Sequence, residues 1–159
     1  MGWFKWLGVV VVVLLSAVGL VPWSIGYFAS DMVYATERGA IDGYDPVAYF
    51  SSGEAVAGRD DLSAEWNGAL WKFASAEHRD RFLKEPARYA PAFGGYYAYA
   101  MGNGYTAHGD PTVFAVVDGR LFLNFDAATG EQWTADRDAL IEAADRNWPE
   151  SRPGQSSGR

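Results

Sequence analysis

Apolar and polar positions follow the same order twice along this chain. Leu62 to Trp66 and Ala69 to Phe73 alternate on either side of Asn67-Gly68. Thr112 to Val117 and Arg120 to Phe125, two mostly apolar runs, flank Asp118-Gly119. Asn-Gly and Asp-Gly accept positive φ at both central positions, so each pair predicts a two-residue hairpin turn. In the second strand of the first hairpin, Ala69, Trp71 and Phe73 share one face, and Leu70, Lys72 and Ala74 the other. Each hairpin is followed by a helix start. Ser75 is placed as an N-cap with Glu77 in the first turn, ahead of a helix to about Lys84 that stops before Glu85-Pro86. Asp126 caps a helical pattern over 127–135, and a further helix covers 137–147, ended by Trp148-Pro149.

Between the two units the pattern is irregular. Pro86 to Tyr89 predicts a short turn ended by Pro91. The run from Phe93 to Met101, bounded by glycines, predicts a short helical element. Asp42-Gly43 and Asp45-Pro46 are turn signals. Val47 to Phe50 fits a short strand or one turn of helix, closed by Ser51-Ser-Gly53. The expectation is a small α+β domain over 40–149, built from two hairpin-then-helix units with additional short helices. The two hairpins are candidates for one shared sheet. Residues 31–39 read as a linker and 150–159, rich in Gly and Ser, as a disordered tail.

Residues 6–30 carry no charge, and the run from Leu7 to Val21 is almost purely apolar. An uncleaved signal-anchor helix is favoured over a cleaved signal peptide. Trp3 to Phe28 supplies the roughly 20 apolar residues that a membrane span needs, with Trp3, Phe4 and Trp6 at one end and Trp23, Tyr27 and Phe28 at the other. Either reading makes a membrane a partner of residues 6–28. Lys5 stays on the cytoplasmic side and the folded part is extracytoplasmic, periplasmic in a Gram-negative cell.

Composition narrows the chemistry. The chain carries a net charge of −7, and Lys5 is the only charged residue before Asp31, so the remainder is more acidic still. That disfavours nucleic acid, whose binding rests on Lys and Arg neutralising phosphate. There is no Cys, so thiolate metal sites and thiol nucleophiles are excluded. Only two His occur. Copper or zinc usually takes three or four converging donors. A metal site would therefore combine His78 with carboxylates such as Asp42 or Asp45, with His108 as a further donor. The competing reading of His78 is a half-buried helix residue sharing an inner face with Phe82. Asp45 before Pro is a turn former, and Ser75 spends its hydroxyl on backbone amides rather than on His78. No nucleophile elbow, phosphate loop or nucleotide fingerprint is present.

Aromatics make up 16% of the chain. Core packing accounts for Trp71, Phe73 and Phe82. Tyr44, Tyr49, Tyr96, Tyr97, Tyr99 and Tyr105 are candidates to line a ligand cleft with Trp66 or Trp71. Tyr96 and Tyr97 are adjacent, so they and Tyr99 do not all face inward.

Three stretches, in order, carry a family resemblance: Asp42 to Tyr49, containing Asp45-Pro-Val47; Trp71-Lys-Phe73 with the Ser75-capped helix through Phe82; and Pro86-Ala-Arg-Tyr89. Together they resemble a YHS domain, a module often linked to heavy-metal proteins. Beyond them, Gly94-Gly-Tyr-Tyr-Ala-Tyr-Ala100, Gly104-Tyr-Thr-Ala107 and Val117 to Asn124 resemble exported, stand-alone bacterial YHS proteins, over about Ala40 to Trp148. By this resemblance Ala48, Ala74 and His78 stand at or near the cysteines of metal-associated members. Tyr97 stands where the exported relatives often have Cys. The resemblance implies an extracytoplasmic protein without an established reaction. A non-enzymatic binding module is expected, taking a small ligand or protein where the loop with Asp42, Tyr44, Asp45 and Tyr49 meets His78 and the segment with Tyr96, Tyr97 and Tyr99. The alternatives are metal handling through His78 and carboxylates, and a hydrolase or oxidoreductase using the same residues.

Overall fold

A computed structural model describes residues 33–148. The expected anchor helix or signal peptide over 1–30 and the expected disordered tail over 150–159 lie outside the described residues. Among the described residues no helix is long and apolar enough to cross a membrane.

The fold is mixed α+β. Strands β1 (Ala35–Thr36) and β2 (Gly39–Ala40) form a minimal hairpin. A one-turn helix α1 (Ala48–Ser51) precedes the first long hairpin, β3 (Arg59–Trp66) with β4 (Ala69–Phe73), and helix α2 (Ala76–Lys84). The short helices α3 (Pro86–Tyr89) and α4 (Ala98–Gly102) lead to the second hairpin, β5 (Asp110–Val117) with β6 (Arg120–Asn124). Helices α5 (Ala127–Ala135) and α6 (Arg137–Asn147) follow.

Both turn signals act as their chemistry requires. Asn67 and Gly68 take φ of 51° and 73°, and Asp118 and Gly119 take 49° and 75°, the doubly positive pair of a hairpin turn matched to strand twist. Each hairpin also carries one register shift, between Arg59 and Ser63 in the first and between Asp110 and Phe114 in the second. Such irregularities bend and twist the strand that holds them.

The hairpins do not join. Each is its own two-stranded antiparallel sheet. The outer edge of β6 is taken by Tyr97, which makes a parallel bridge to Leu123. Beside β4, Gly39 closes so tightly on the Leu70 carbonyl that a Cβ there would stand 2.6 Å from the oxygen. Neither edge is left open for the other hairpin. Packing also begins before residue 40. Val33 is buried in the core, and Tyr34 links two turns, its N–H donating to Gly94 O and its C=O accepting from Ile41 N–H, each at 2.8 Å. Part of the segment read as a linker thus belongs to the domain.

Two apolar clusters hold the molecule together. One gathers Trp71, Phe73, Phe82, Tyr49, Ile41 and Val47, with Leu121 and Leu123. The other gathers Phe93, Met101, Phe122, Trp133 and Ala144. Strand β6 is common to both, because successive side chains point to opposite faces. Leu121 and Leu123 serve the first cluster, and Phe122 the second.

Two left-handed turns interlock. Ile41, Asp42 and Gly43 have φ of 44°, 58° and 79°, and Phe93, Gly94 and Gly95 have 56°, 62° and 89°. A Cβ on Gly95 would meet Ile41 Cγ2 at 2.8 Å. Ile41 is β-branched and fully buried. Its positive φ is a strained state, held by surrounding packing.

Candidate functional site

The loop before α1 delivers a buried carboxylate. Asp45 has no solvent exposure, and every contact it makes is polar and directional. Its Oδ1 accepts from Val47 N–H at 2.8 Å, and its Oδ2 from Ala74 N–H at 2.8 Å and from His78 Nδ1 at 2.6 Å. One carboxylate therefore ties the 45–47 turn, the end of β4 and the first turn of α2. Ser75 caps that helix, accepting from His78 N–H at 3.1 Å, so its hydroxyl is spent on backbone as expected. A carboxylate can only accept, which places the proton of the neutral His78 ring on Nδ1 and leaves Nε2 as the acceptor. Nε2 faces Ser51 Oγ at 3.3 Å.

The other expected site residues separate. Asp42 does not join Asp45. Its Oδ1 accepts from Thr36 Oγ1 at 2.7 Å and Arg38 Nε at 2.8 Å, and its Oδ2 pairs with Arg38 Nη2. Tyr44 makes an isolated bridge to Ala57. Tyr49 is buried, its hydroxyl donating to Pro111 O at 2.9 Å, and burial drives its pKa far above the ordinary tyrosine range. Tyr96 is half-buried beside Tyr34, His108 and Trp148. Tyr99 is half-buried and stacks on the buried ring of Tyr97 at 5.7 Å. For metal chemistry, His78 has one carboxylate, and His108 stacks on Tyr34 at 4.7 Å. Among the described residues no group of three or more His, Asp or Glu is placed to share an ion.

Tyr97 leads to a second neighbourhood. Among the described residues, three buried side-chain polar atoms have no hydrogen-bond partner: Tyr97 Oη, Asn124 Oδ1 and Trp133 Nε1. All three belong to the corner where β6, the start of α4 and helix α5 meet. Tyr97 bridges β6 at Leu123 and its ring lies 6.3 Å from Phe125. Asn124 is the last residue of β6, on the same face as Phe122, whose ring lies 5.6 Å from Trp133. Thr129 and Trp133 stand one turn apart on α5. The Tyr97 hydroxyl has the Thr129 hydroxyl as a polar neighbour but makes no hydrogen bond of good geometry to it, while Thr129 donates to Asp126 Oδ1 at 2.7 Å. Burial is the main cause raising the Tyr97 pKa. Beside these orphans lies a groove of about 450 Å³ lined by Asn124, Trp133, Phe114 and Gly130 among others. Two lining residues thus carry unmet polar atoms, Trp133 an indole N–H with nothing to donate to and Asn124 a carbonyl oxygen with nothing to accept.

A cleft of about 400 Å³ opens at the other end of the hairpins, lined by Trp66, Trp148, Phe93, Arg88 and Arg120. It is aromatic as the composition suggests. The two guanidiniums that reach it are held by carboxylates, Arg120 by both oxygens of Asp145 at 2.7 and 2.9 Å and Arg88 by Glu85 at 3.4 Å.

Asn124, Trp133 and Ser51 were not singled out by the sequence. Asn124 carried a signal: it is the one polar residue in the run Leu121-Phe-Leu-Asn-Phe125, at a position the strand alternation buries. Ser51 looked like ordinary turn chemistry. Compared with protein-family models, with curated proteins and with solved structures, the chain finds no match.

Proposed function

We propose that this chain is an extracytoplasmic, YHS-type binding module that takes a small neutral organic ligand in the groove between the β5–β6 hairpin and α5. The observation that carries the reading is the pair of orphaned polar atoms, Asn124 Oδ1 and Trp133 Nε1, on two residues that both line that groove. A buried polar group without a partner costs about 1–3 kcal/mol, and a ligand arriving from outside is one way to meet such groups at a concave site. One donor and one acceptor together suit a ligand that offers the reverse pair, as a primary amide or urea does. Phe114, Val113 and the Trp133 ring supply apolar walls. The volume suits a small molecule. Export rests on the apolar run of residues 6–28, and the YHS reading on the motifs between Asp42 and Tyr89.

The test is a titration of the full chain in detergent micelles, followed through the indole N–H resonance of Trp133, assigned by its loss in Trp133→Phe. Acetamide and urea are the probes, and propane-sized hydrocarbon and acetate the controls. The reading predicts a saturable shift of that resonance with the amide probes alone. No shift at any soluble concentration, or an equal shift with every probe, would overturn it.

A further inference from the structure

Asp45, His78 and Ser51 form a continuous chain of hydrogen bonds that the binding role does not use. We propose that these three residues are an acyl-transfer site, with Ser51 as nucleophile, His78 as general base and Asp45 as the positioning residue. It would act on small activated carboxylic esters.

A carboxyl group with no solvent exposure needs its polar atoms compensated, and Asp45 has two backbone N–H groups and the His78 ring. Its orientation is therefore fixed by β4 and by the 45–47 turn. The 2.6 Å contact to Nδ1 fixes the ring in turn and commits its tautomer. In the neutral ring that tautomer turns the Nε2 lone pair toward Ser51 Oγ at 3.3 Å. A hydroxyl, a base within hydrogen-bond reach and a third group orienting that base make up the arrangement that activates a serine, and apo contacts run slightly long.

The surroundings permit access. Ser51 is exposed, and the His78 side chain is 20% exposed. Gly53 turns the chain away with φ of 70°, and nothing lies within 4 Å of where its Cβ would stand.

Ser51 Oγ forms a bond to the acyl carbon as its proton passes to His78 Nε2. The imidazolium is stabilised by Asp45. As the tetrahedral adduct collapses, the bond from carbon to the leaving oxygen breaks, and the proton on Nε2 goes to that oxygen. Water then attacks the Ser51 ester, giving one proton to Nε2, and the acid departs as that proton returns to Ser51 Oγ.

The backbone also limits the rate. Ser51 N–H donates to Val47 O and Ser52 N–H to Ala48 O, so neither amide is free for an oxyanion. The gain is that of general-base activation alone, roughly 100- to 10,000-fold. An ester with a good leaving group is the substrate such a site handles.

The experiment treats the full chain in detergent micelles with p-nitrophenyl acetate, follows nitrophenol release, and maps the acetyl adduct by mass spectrometry. Ser51→Ala changes an exposed side chain, and His78→Asn removes the base. Circular dichroism checks that both retain the fold. The expected result is an adduct on Ser51 of the unsubstituted chain, with release falling roughly 100-fold in Ser51→Ala and adduct formation at Ser51 falling comparably in His78→Asn. An unmodified Ser51 in the unsubstituted chain would overturn the proposal. So would acetylation of Ser51 at an unchanged rate in a folded His78→Asn variant. Neither outcome bears on the groove, which lies on another part of the molecule.

Discussion

At the scale of single residues, two buried tyrosines make a controlled comparison. Both have hydroxyls pushed into the interior, and burial raises both pKa values. Tyr49 is paired, donating to Pro111 O, and Tyr97 is not. Tyr49→Phe should therefore cost about 1–3 kcal/mol, because a buried carbonyl loses its donor, whereas Tyr97→Phe should be neutral or stabilising. Urea melts of the two variants measure the difference. The pH dependence has a definite sign. A pKa raised on folding means that the folded state holds the proton more tightly. The stability this gives is complete below the ordinary tyrosine value near 10 and is lost as pH climbs through the raised values. Each Tyr→Phe variant should weaken the alkaline loss of melting temperature. Asp45 illustrates the opposite case at the same scale. It looks like a turn former in sequence and it is one, accepting from Val47 N–H two residues on. Its second oxygen, which reaches Ala74 and His78 across the fold, has no local sequence signal at all.

At the scale of elements, the periodic segments were legible and the left-handed ones were not. Both hairpin turns, the Ser75 cap and the helices over 127–135 and 137–147 follow from alternation, turn residues and capping, all of which act over a few residues. The separation of the hairpins does not, because it depends on Tyr97 and Gly39 arriving from elsewhere to occupy strand edges. The Asp42-Gly43 signal announced a turn. Nothing announced that the turn would begin with a β-branched residue, Ile41, at positive φ, or that it would interlock with the turn at Phe93. Gly95 and Gly53 separate conformation from contact there. Both have positive φ, but a Cβ on Gly95 would collide with Ile41 Cγ2 at 2.8 Å, while one on Gly53 meets open space. Gly53→Ala should cost only the left-handed backbone penalty, roughly 1–2 kcal/mol. Gly95→Ala should cost distinctly more, since overpacking adds a further 1–3 kcal/mol or so. Thermal melts of the pair decide it. A smaller loss for Gly95→Ala would show that the two turns are not braced against each other.

At the scale of the whole molecule, β6 is where stability and the proposed function meet. Its Leu121 and Leu123 close one cluster and its Phe122 the other, so the two halves are packed against a common strand. The same strand ends in Asn124, a buried polar side chain with an unmet oxygen. A strand so central would be expected to carry an apolar residue there, and the groove reading says that stability is sacrificed for a ligand. The alternative is a bound water that completes the structure. The two differ in what happens to the global unfolding free energy when the orphan is replaced by an apolar side chain of similar size. Asn124→Leu, examined by urea denaturation and by the same amide titration, is the most direct measurement. The account predicts that the variant is as stable as the unsubstituted chain or more so, by up to about 1–3 kcal/mol, and that amide binding is lost. A variant that is clearly less stable, with binding retained, would contradict it and make Asn124 a structural residue satisfied by water.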